Sequence, residues 1–224
     1  MASFYIVSTP IGNLKDITLR AIDTLKEVDI ILCEDTRVTK KILDVYQIKK
    51  PLKSYHKFSK LSKLEYILNL LEEEKSLALV SDAGTPAISD PGSFLVSEIV
   101  KRFGDEIKVV PIPGPSAVVA ALSVSGFYAD KFKFLGFPPH KKGRQTFFKN
   151  ISEEKDTVVF YESKHRIKKA LRELSEVVEN RQVVLCRELT KQFETIYRGT
   201  TKEILEKLKE DKVLGEFVVV LDKI

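Results

Sequence analysis

Residues 77–91 read LALVSDAGTPAISDP. Residues 77–80 form an apolar run with the length and composition of a buried strand. The run breaks at Ser81, and Asp82, Gly84 and Pro86 follow, a composition that neither extends a strand nor starts a helix. Asp90, Pro91 and Gly92 punctuate the chain again before an apolar-periodic segment begins at Phe94. Strand, elaborated loop and helix make up the unit of a parallel α/β sheet, in which ligands gather at the carboxyl ends of the strands. Long loops inside compact domains are usually functional. The plain alternative is an extended βα connection that binds nothing.

The same alternation continues in both directions. Upstream, residues 4–7 read as a strand and 8–13 as a turn-rich loop. Thr18 is placed to cap a helix over 19–27, whose Leu19, Ile22 and Leu25 share a face. Residues 30–33 read as a second strand, followed by Glu34-Asp35-Thr36-Arg37 and a helix over 38–46. A short strand is expected at 52–55 and an amphipathic helix at 63–74. Downstream, a helix over 94–102 leads to a strand at 108–111, the loop 112–116 and a small-residue helix at 117–124. Ser116 stands at that helix's amino end, where backbone N–H groups are free to meet a ligand.

A boundary is expected within 126–131, dividing an amino-terminal α/β domain (1–126) from a carboxyl-terminal α/β domain (127–224). In the second domain, 132–137 is rich in aromatics and 138–144 is a basic loop led by two prolines. A buried strand is expected at 157–161 and a helix at 167–178. Residues 183–187 and 195–197 read as paired strands, Thr201 as the cap of a helix over 203–208, and 216–221 as the strand that closes the sheet. The fold class is therefore α/β, with two α/β domains.

The chain has 224 residues, of which 43% are hydrophobic and 31% charged, a balance suited to a soluble protein with a sizeable core. No apolar run approaches the ~20 residues of a membrane span, so no membrane partner is expected. The first residues carry no basic segment and pass straight into a strand, so no signal peptide is expected. Cys33 and Cys186 are far apart, make no zinc framework and point to a reducing, cytoplasmic compartment. His56, His140 and His165 lack the spacing of metal ligands. The chain contains no GxGxxG, GxxxxGK or GxSxG. These absences remove the dinucleotide fingerprint, the nucleoside-triphosphate loop and the nucleophile elbow.

Charge is unevenly spread. Residues 37–63 hold nine basic side chains against one acid, Asp44, a local excess of +8 in a chain whose net charge is +5, so the remainder carries −3. Tyr46, Tyr55, His56 and Phe58 are interleaved with that tract. Such a mixture suits phosphate neutralisation and base stacking, and it equally describes a solvated lysine-rich surface.

Eight strings carry the functional reading: STPIGN, CEDTR, SDAGTPAISDPG, PIPGPSA, GFPP, FYESKHR, CRELTKQFET and GEFVVVL, in this order from residue 8 to residue 221. Together they resemble the tetrapyrrole methylase superfamily and, within it, the branch that methylates small-subunit ribosomal RNA. The resemblance implies two α/β domains of the tetrapyrrole methylase type with S-adenosylmethionine in a cleft between them. It further implies 2′-O-methylation of a cytidine ribose in the decoding region of 16S rRNA, on the RNA or the 30S subunit, by a homodimer. Any additional carboxyl-terminal domain is expected to be missing.

By the same resemblance the methyl donor touches Pro10, Asp82, Ala83, Gly84, Thr85, Ser116 and Ala117, with Tyr161, Leu189 and Gly215 completing its pocket. Glu34, Asp35 and Glu162, each just past a strand end, are candidates for the base that takes the hydroxyl proton. For all three, ion pairs with Arg37 or Arg166 that merely fix the loops are the alternative. Arg37, Lys40, Lys57, Lys141, Lys142, Arg144, Lys164 and Arg166 are expected to contact RNA. Two rivals stand beside this reading: a methylase of the same fold acting on a tetrapyrrole or a protein side chain, and a non-catalytic RNA-binding assembly protein.

Overall fold

The computed structural model describes residues 2–56, 61–178 and 180–224. The chain divides into two compact units, Met1–Ser116 and Ala117–Ile224.

The first unit is a doubly wound sheet. Its strands are β1 (Ser3–Val7), β2 (Ile30–Cys33), β3 (Leu52–Ser54), β4 (Leu77–Leu79) and β5 (Lys108–Ile112). They pair in the order β3-β2-β4-β1-β5, and every pairing is parallel. The helices are α1 (Leu19–Glu27), α2 (Thr36–Val45), α3 (Leu61–Glu72) and α4 (Gly92–Phe103). Side-chain alternation decides which face each covers. Leu77, Leu79, Phe4 and Leu32 point into one core with Leu64 and Leu68 of α3 and Leu95 and Ile99 of α4. Ala78, Val7, Ile31 and Cys33 point into the other with Ala21 and Leu25 of α1 and Ile42 and Leu43 of α2. Strands buried on both faces read as continuous apolar runs, which is why 30–33 and 77–80 stand out in the sequence. Pro111 lies in β5, an edge strand, where its missing N–H costs no interior ladder bond.

The connection from β1 leaves across one face through α1, and that from the adjacent β4 leaves across the other through α4. The carboxyl ends of β1 and β4 therefore form the topological switch point of the sheet, the position at which doubly wound folds bind ligands.

The second unit opens with α5 (Ala117–Ser125). It continues with β6 (Phe132–Phe134), α6 (Arg144–Glu153), β7 (Thr157–Ser163), α7 (Ile167–Ser175), β8 (Gln182–Arg187), β9 (Thr195–Thr200), α8 (Thr201–Glu210) and β10 (Glu216–Leu221). The strand order is β6-β7-β10-β8-β9, with β6 parallel to β7 and the other pairs antiparallel. Phe160, Leu185, Phe217 and Val219 of the sheet meet Phe148, Ile151, Leu171, Leu174, Ile204 and Leu208 of α6, α7 and α8 in one core. Helix α5 packs against β10 and β7.

Several expectations are corrected. The division falls at 116/117 rather than at 126/127, because α5 packs against the second sheet. Strand β10, the last in sequence, lies in the middle of that sheet with partners on both sides. The cap of α8 is Thr200, not Thr201. Its hydroxyl accepts the Glu203 N–H while the Glu203 carboxylate accepts the Thr200 N–H, a reciprocal capping box that Thr201 is one residue too late to form. Helix α6 has no counterpart in the sequence reading.

Candidate functional site

The loops at the switch point are tied to one another by backbone. Thr9 donates its N–H to the Gly84 carbonyl at 2.9 Å and Gly84 returns the bond at 3.1 Å, a one-rung bridge beyond the ends of β1 and β4. The Thr9 hydroxyl adds a bond to the Ser81 carbonyl at 3.1 Å. Gly84 sits at φ +84°, and a Cβ there would stand 3.3 Å from the Ile11 side chain, so position 84 needs glycine for both conformation and space. The β5 loop is drawn in by hydroxyls. Thr85 donates to the Pro115 carbonyl at 3.1 Å and, its one proton so used, accepts from Ser8 at 3.0 Å. Gly114 completes the approach: a Cβ on it would lie 2.8 Å from the Ser8 Cβ.

Acidic groups line the same strand ends. Asp35 caps α2: its Oδ1 accepts the Arg37 N–H at 2.8 Å, and the Arg37 guanidinium forks onto both carboxylate oxygens, the shorter contact being 2.6 Å. The Arg37 hydrogen bonds hold the Asp35 carboxyl down at about 2. Asp82 accepts the Asp35 N–H at 3.0 Å, which links the β2 and β4 loops. Burial, then the Asp82 and Asp90 charges, push the Glu34 carboxyl above its ordinary value. Burial, and less strongly the Asp35 charge, push Asp82 up as well. Asp90 shapes the far side of the loop, where its Oδ1 accepts the Ala87 N–H at 2.9 Å and the Gly92 N–H at 2.7 Å and holds Ala87 and Ser89 at positive φ.

Among the residues expected to hold a donor, Pro10 and Gly84 are buried, Thr85 and Ser116 half-buried, and Asp82 and Ala83 exposed. The set suits a ligand that carries hydroxyls and positive charge. Carboxylates above their usual range gain from a cation or a hydroxyl donor. Among the described residues no group of His, Cys, Asp and Glu is arranged to hold a metal ion.

In the second unit, Tyr161 packs against Phe134 and Phe137, with ring centroids 4.9 and 5.3 Å away. Burial pushes the Tyr161 hydroxyl above its ordinary value, and the Val118 backbone, in the first turn of α5 beside Ala117, partly offsets this. Leu189 is buried between Glu188 and Thr190, both at positive φ. Gly215 is fixed by Glu188: a Cβ at 215 would stand 2.3 Å from the Glu188 Cδ, whose Oε1 accepts the Glu216 N–H at 3.0 Å and Lys191 Nζ at 2.9 Å. Glu188 is a residue the sequence reading did not single out. Its signal is the juxtaposed Gly215-Glu216, which only the β10–β8 register brings near it.

Two of the expected roles are corrected here. Glu162 is 1% exposed and paired with Arg166 Nε at 2.9 Å and Arg144 Nη1 at 3.6 Å, so it is not open to a substrate proton. Arg144 is 4% exposed, stacks on Phe148 and pairs with Glu173, so its charge is spent inside the protein and not on RNA phosphate. Arg166 is half-buried in the same network. Arg37, Lys40, Lys141, Lys142 and Lys164 are exposed, and Lys57 lies outside the described residues. Both cysteines are buried and free, and burial pushes the Cys186 thiol up to about 11.

A doubly wound sheet whose switch-point loops are tied together, followed by a mixed α/β unit, defines a two-unit α/β protein with a ligand-binding strand end. Residues 3–205 match the model of the tetrapyrrole (corrin/porphyrin) methylases. The chain is 46% identical over 221 residues to the ribosomal RNA small subunit methyltransferase I of Thermotoga maritima, covering 99% of this chain and 98% of that protein. It is 49% identical to the protein of the same name from Mycoplasmopsis pulmonis, covering 98% and 97%. Among solved structures, cobalt precorrin-4 methyltransferase superposes with a TM-score of 0.72 at 18% identity, covering 98% of this chain and 94% of that one. The chain thus belongs to the tetrapyrrole methylase family and, within it, to the ribosomal RNA small subunit methyltransferase I family. It is a methyltransferase.

Proposed function

We propose that this methyltransferase places a methyl group on the ribose 2′-oxygen of a cytidine in the decoding region of small-subunit rRNA, with S-adenosylmethionine as donor. The observation that carries the reading is end-to-end identity of 46–49% to relatives whose name states that substrate class. When bound, the donor supplies a methyl group already activated on a sulfonium.

The chain's own part is to hold and align. Pro10, Ala83 and Gly84 offer close backbone, Asp82 a carboxylate for a hydroxyl or cation, and Thr85 and Ser116 the rim of the β4 and β5 loops. Ala117, Tyr161, Leu189 and Gly215 are the further residues proposed to touch the donor. Alignment of reacting groups can supply ~7–11 kcal/mol of barrier lowering. Of the candidate bases, Glu34 is retained. Its electrostatic neighbours are carboxylates and its carboxyl is raised, which favours taking a proton, whereas Asp35 at about 2 is a poor acceptor. The exposed Arg37, Lys40, Lys141, Lys142 and Lys164 meet RNA phosphate. The active species is a cytoplasmic homodimer.

The test is transfer of labelled methyl from S-adenosylmethionine to assembled small subunits, protein-free 16S rRNA and a porphyrinogen in parallel, with the modified nucleotide located by primer extension. Label confined to one cytidine ribose of the decoding region is expected. Label entering the porphyrinogen instead overturns the reading.

A further inference from the structure

The Glu162 network has no place in the chemistry, and its geometry gives it another task. The loop 136–143, GFPPHKKG, runs from the end of β6 to α6. It is held through its carbonyls. Tyr161 N–H donates to the Gly136 carbonyl at 2.8 Å, and Arg144 N–H to that of Lys141 at 3.2 Å. Arg166 Nη1 donates to the Pro138 carbonyl at 3.3 Å, and Arg144 Nη1 to the Pro139 carbonyl at 3.1 Å. Two of these four bonds thus come from guanidiniums, and Pro138 and Pro139 have no N–H with which to hold themselves.

Both guanidiniums are in turn held by acids. Glu162 Oε1 takes Arg166 Nε at 2.9 Å and the Ser163 N–H at 2.7 Å, and its Oε2 faces Arg144 Nη1 at 3.6 Å. Glu173 Oε2 accepts Arg144 Nε at 2.8 Å. Oε2 of Glu162 is buried and has no hydrogen-bond partner among the described residues. A carboxylate held this way is poorly explained by stability alone, since buried ion pairs are weak stabilisers against apolar replacements. What it does fix is the direction of two arginine forks. With the carbonyls turned inward, His140, Lys141 and Lys142 are left exposed, next to the half-exposed ring of Phe137. Cationic side chains beside an open aromatic face are the chemistry of a nucleic-acid contact: phosphate neutralisation with a base stacked alongside.

We propose that Glu162 is a positioning residue. Through Arg144 and Arg166 it holds the 136–143 loop so that Lys141 and Lys142 engage rRNA phosphates and Phe137 stacks on an unpaired base. The proposal rests on the rRNA reading above and adds to it a determinant of substrate affinity distinct from proton removal; because Phe137 packs on Tyr161, a residue proposed to touch the donor, affinity for S-adenosylmethionine is measured alongside for F137A.

The experiment measures kcat, KM for small subunits, and the salt dependence of RNA binding for the wild type, E162Q, R166K, F137A and K141A/K142A, with E162Q also placed in the K141A/K142A background. Thermal melts show which variants are folded. R166K, at a half-buried position and with its charge kept, serves if E162Q does not fold. The expected result is a loss on KM rather than kcat in all four variants. For K141A/K142A the log–log salt slope should fall by about 1.4–1.8 units, at ~0.7–0.9 for each of two phosphate contacts. E162Q should lower the slope in the same direction and add little to the lysine variant, because both act on one loop. Three results overturn the proposal: a collapse of kcat in E162Q with KM unchanged, a normal salt slope in folded E162Q and R166K, or full additivity with K141A/K142A. A wild-type chain that does not methylate small subunits removes the functional reading, and this proposal with it. That outcome is distinguished by its appearing before any variant is compared.

Discussion

Thr9 and Gly84 exchange both of their backbone hydrogen bonds beyond the last paired residues of β1 and β4. A single rung there joins the two loops whose helices leave over opposite faces of the sheet. It closes the switch point into a fixed frame of main chain, on which Asp82, Thr85 and Pro10 are carried. Side chains on such a frame need no ordering when a ligand arrives, which limits the entropic cost of binding.

Gly84→Ala tests that frame. At φ +84° a non-glycine residue costs about 1–2 kcal/mol, and the new methyl would also press on Ile11 at 3.3 Å. That strain is present with and without ligand, so it appears as a loss of folding stability of about 1–2 kcal/mol, which denaturant melts measure; it weakens S-adenosylmethionine binding only so far as the unliganded loop relaxes to a different shape. Unchanged stability would show that the loop takes a methyl at residue 84 without strain.

Gly215→Ala acts through a different cause. The added Cβ would lie 2.3 Å from the Glu188 Cδ, so the Glu188 side chain must leave its bonds to Lys191 and the Glu216 N–H, and φ +91° is itself unfavourable. A destabilisation of about 1–2 kcal/mol is expected, set mainly by the positive φ, because the atoms the methyl meets are the movable end of the half-buried Glu188 side chain. Glu188→Ala in the same chain should recover part of it by removing the clash. Denaturant melts of the single and double variants measure the coupling.

Much of the first unit is legible in the sequence because its signals are local. The strand Ile30–Cys33 and helix Leu19–Glu27 with its Thr18 cap stand where apolar runs and cap residues put them. Helix α6 is not legible. Its inward positions are Arg144, Phe148 and Ile151, so a buried arginine occupies the first place in the apolar stripe, and its amino end is Gly143 in the left-handed region with no side-chain cap. The pairing of Glu162 with Arg166 is legible as an alternative because the two are four residues apart. The role of Arg144 is hidden, because a charged residue reads as surface until partners far along the chain, here Glu162 and Glu173, are brought to it by packing. The loops of the switch point are visible as glycine and proline punctuation, but the Ser8–Thr85–Pro115 hydroxyl chain that orders them depends on strand order, which no local pattern specifies.

Stability should depend on pH through Glu34 in a direction opposite to that of an ordinary paired carboxylate. Its carboxyl is raised by burial and then by Asp82 and Asp90, so the native state binds the proton more tightly than the unfolded chain does. Stability is therefore lost as pH rises from the ordinary carboxylate value through the raised one, and the loss is complete above it. Glu34→Gln removes that loss. At neutral pH its melting temperature should exceed that of the wild type, and the gain should vanish in acid. Thermal melts across pH 4–8 give the comparison.

The same substitution sets stability against catalysis and separates the candidate bases. If Glu34 takes the 2′-hydroxyl proton, Glu34→Gln lowers the single-turnover methylation rate by ~10²–10⁴-fold, the usual worth of general base help. Asp35→Asn should leave the rate within a few-fold of wild type. Asparagine caps a helix as well as aspartate does, so α2 keeps its start while only the exposed pair with Arg37 is lost. A wild-type rate that rises with pH through the Glu34 titration, and flattens in Glu34→Gln, would place the proton on that carboxylate. Equal rates in both variants would leave alignment of the ribose, without a base, as the source of catalysis.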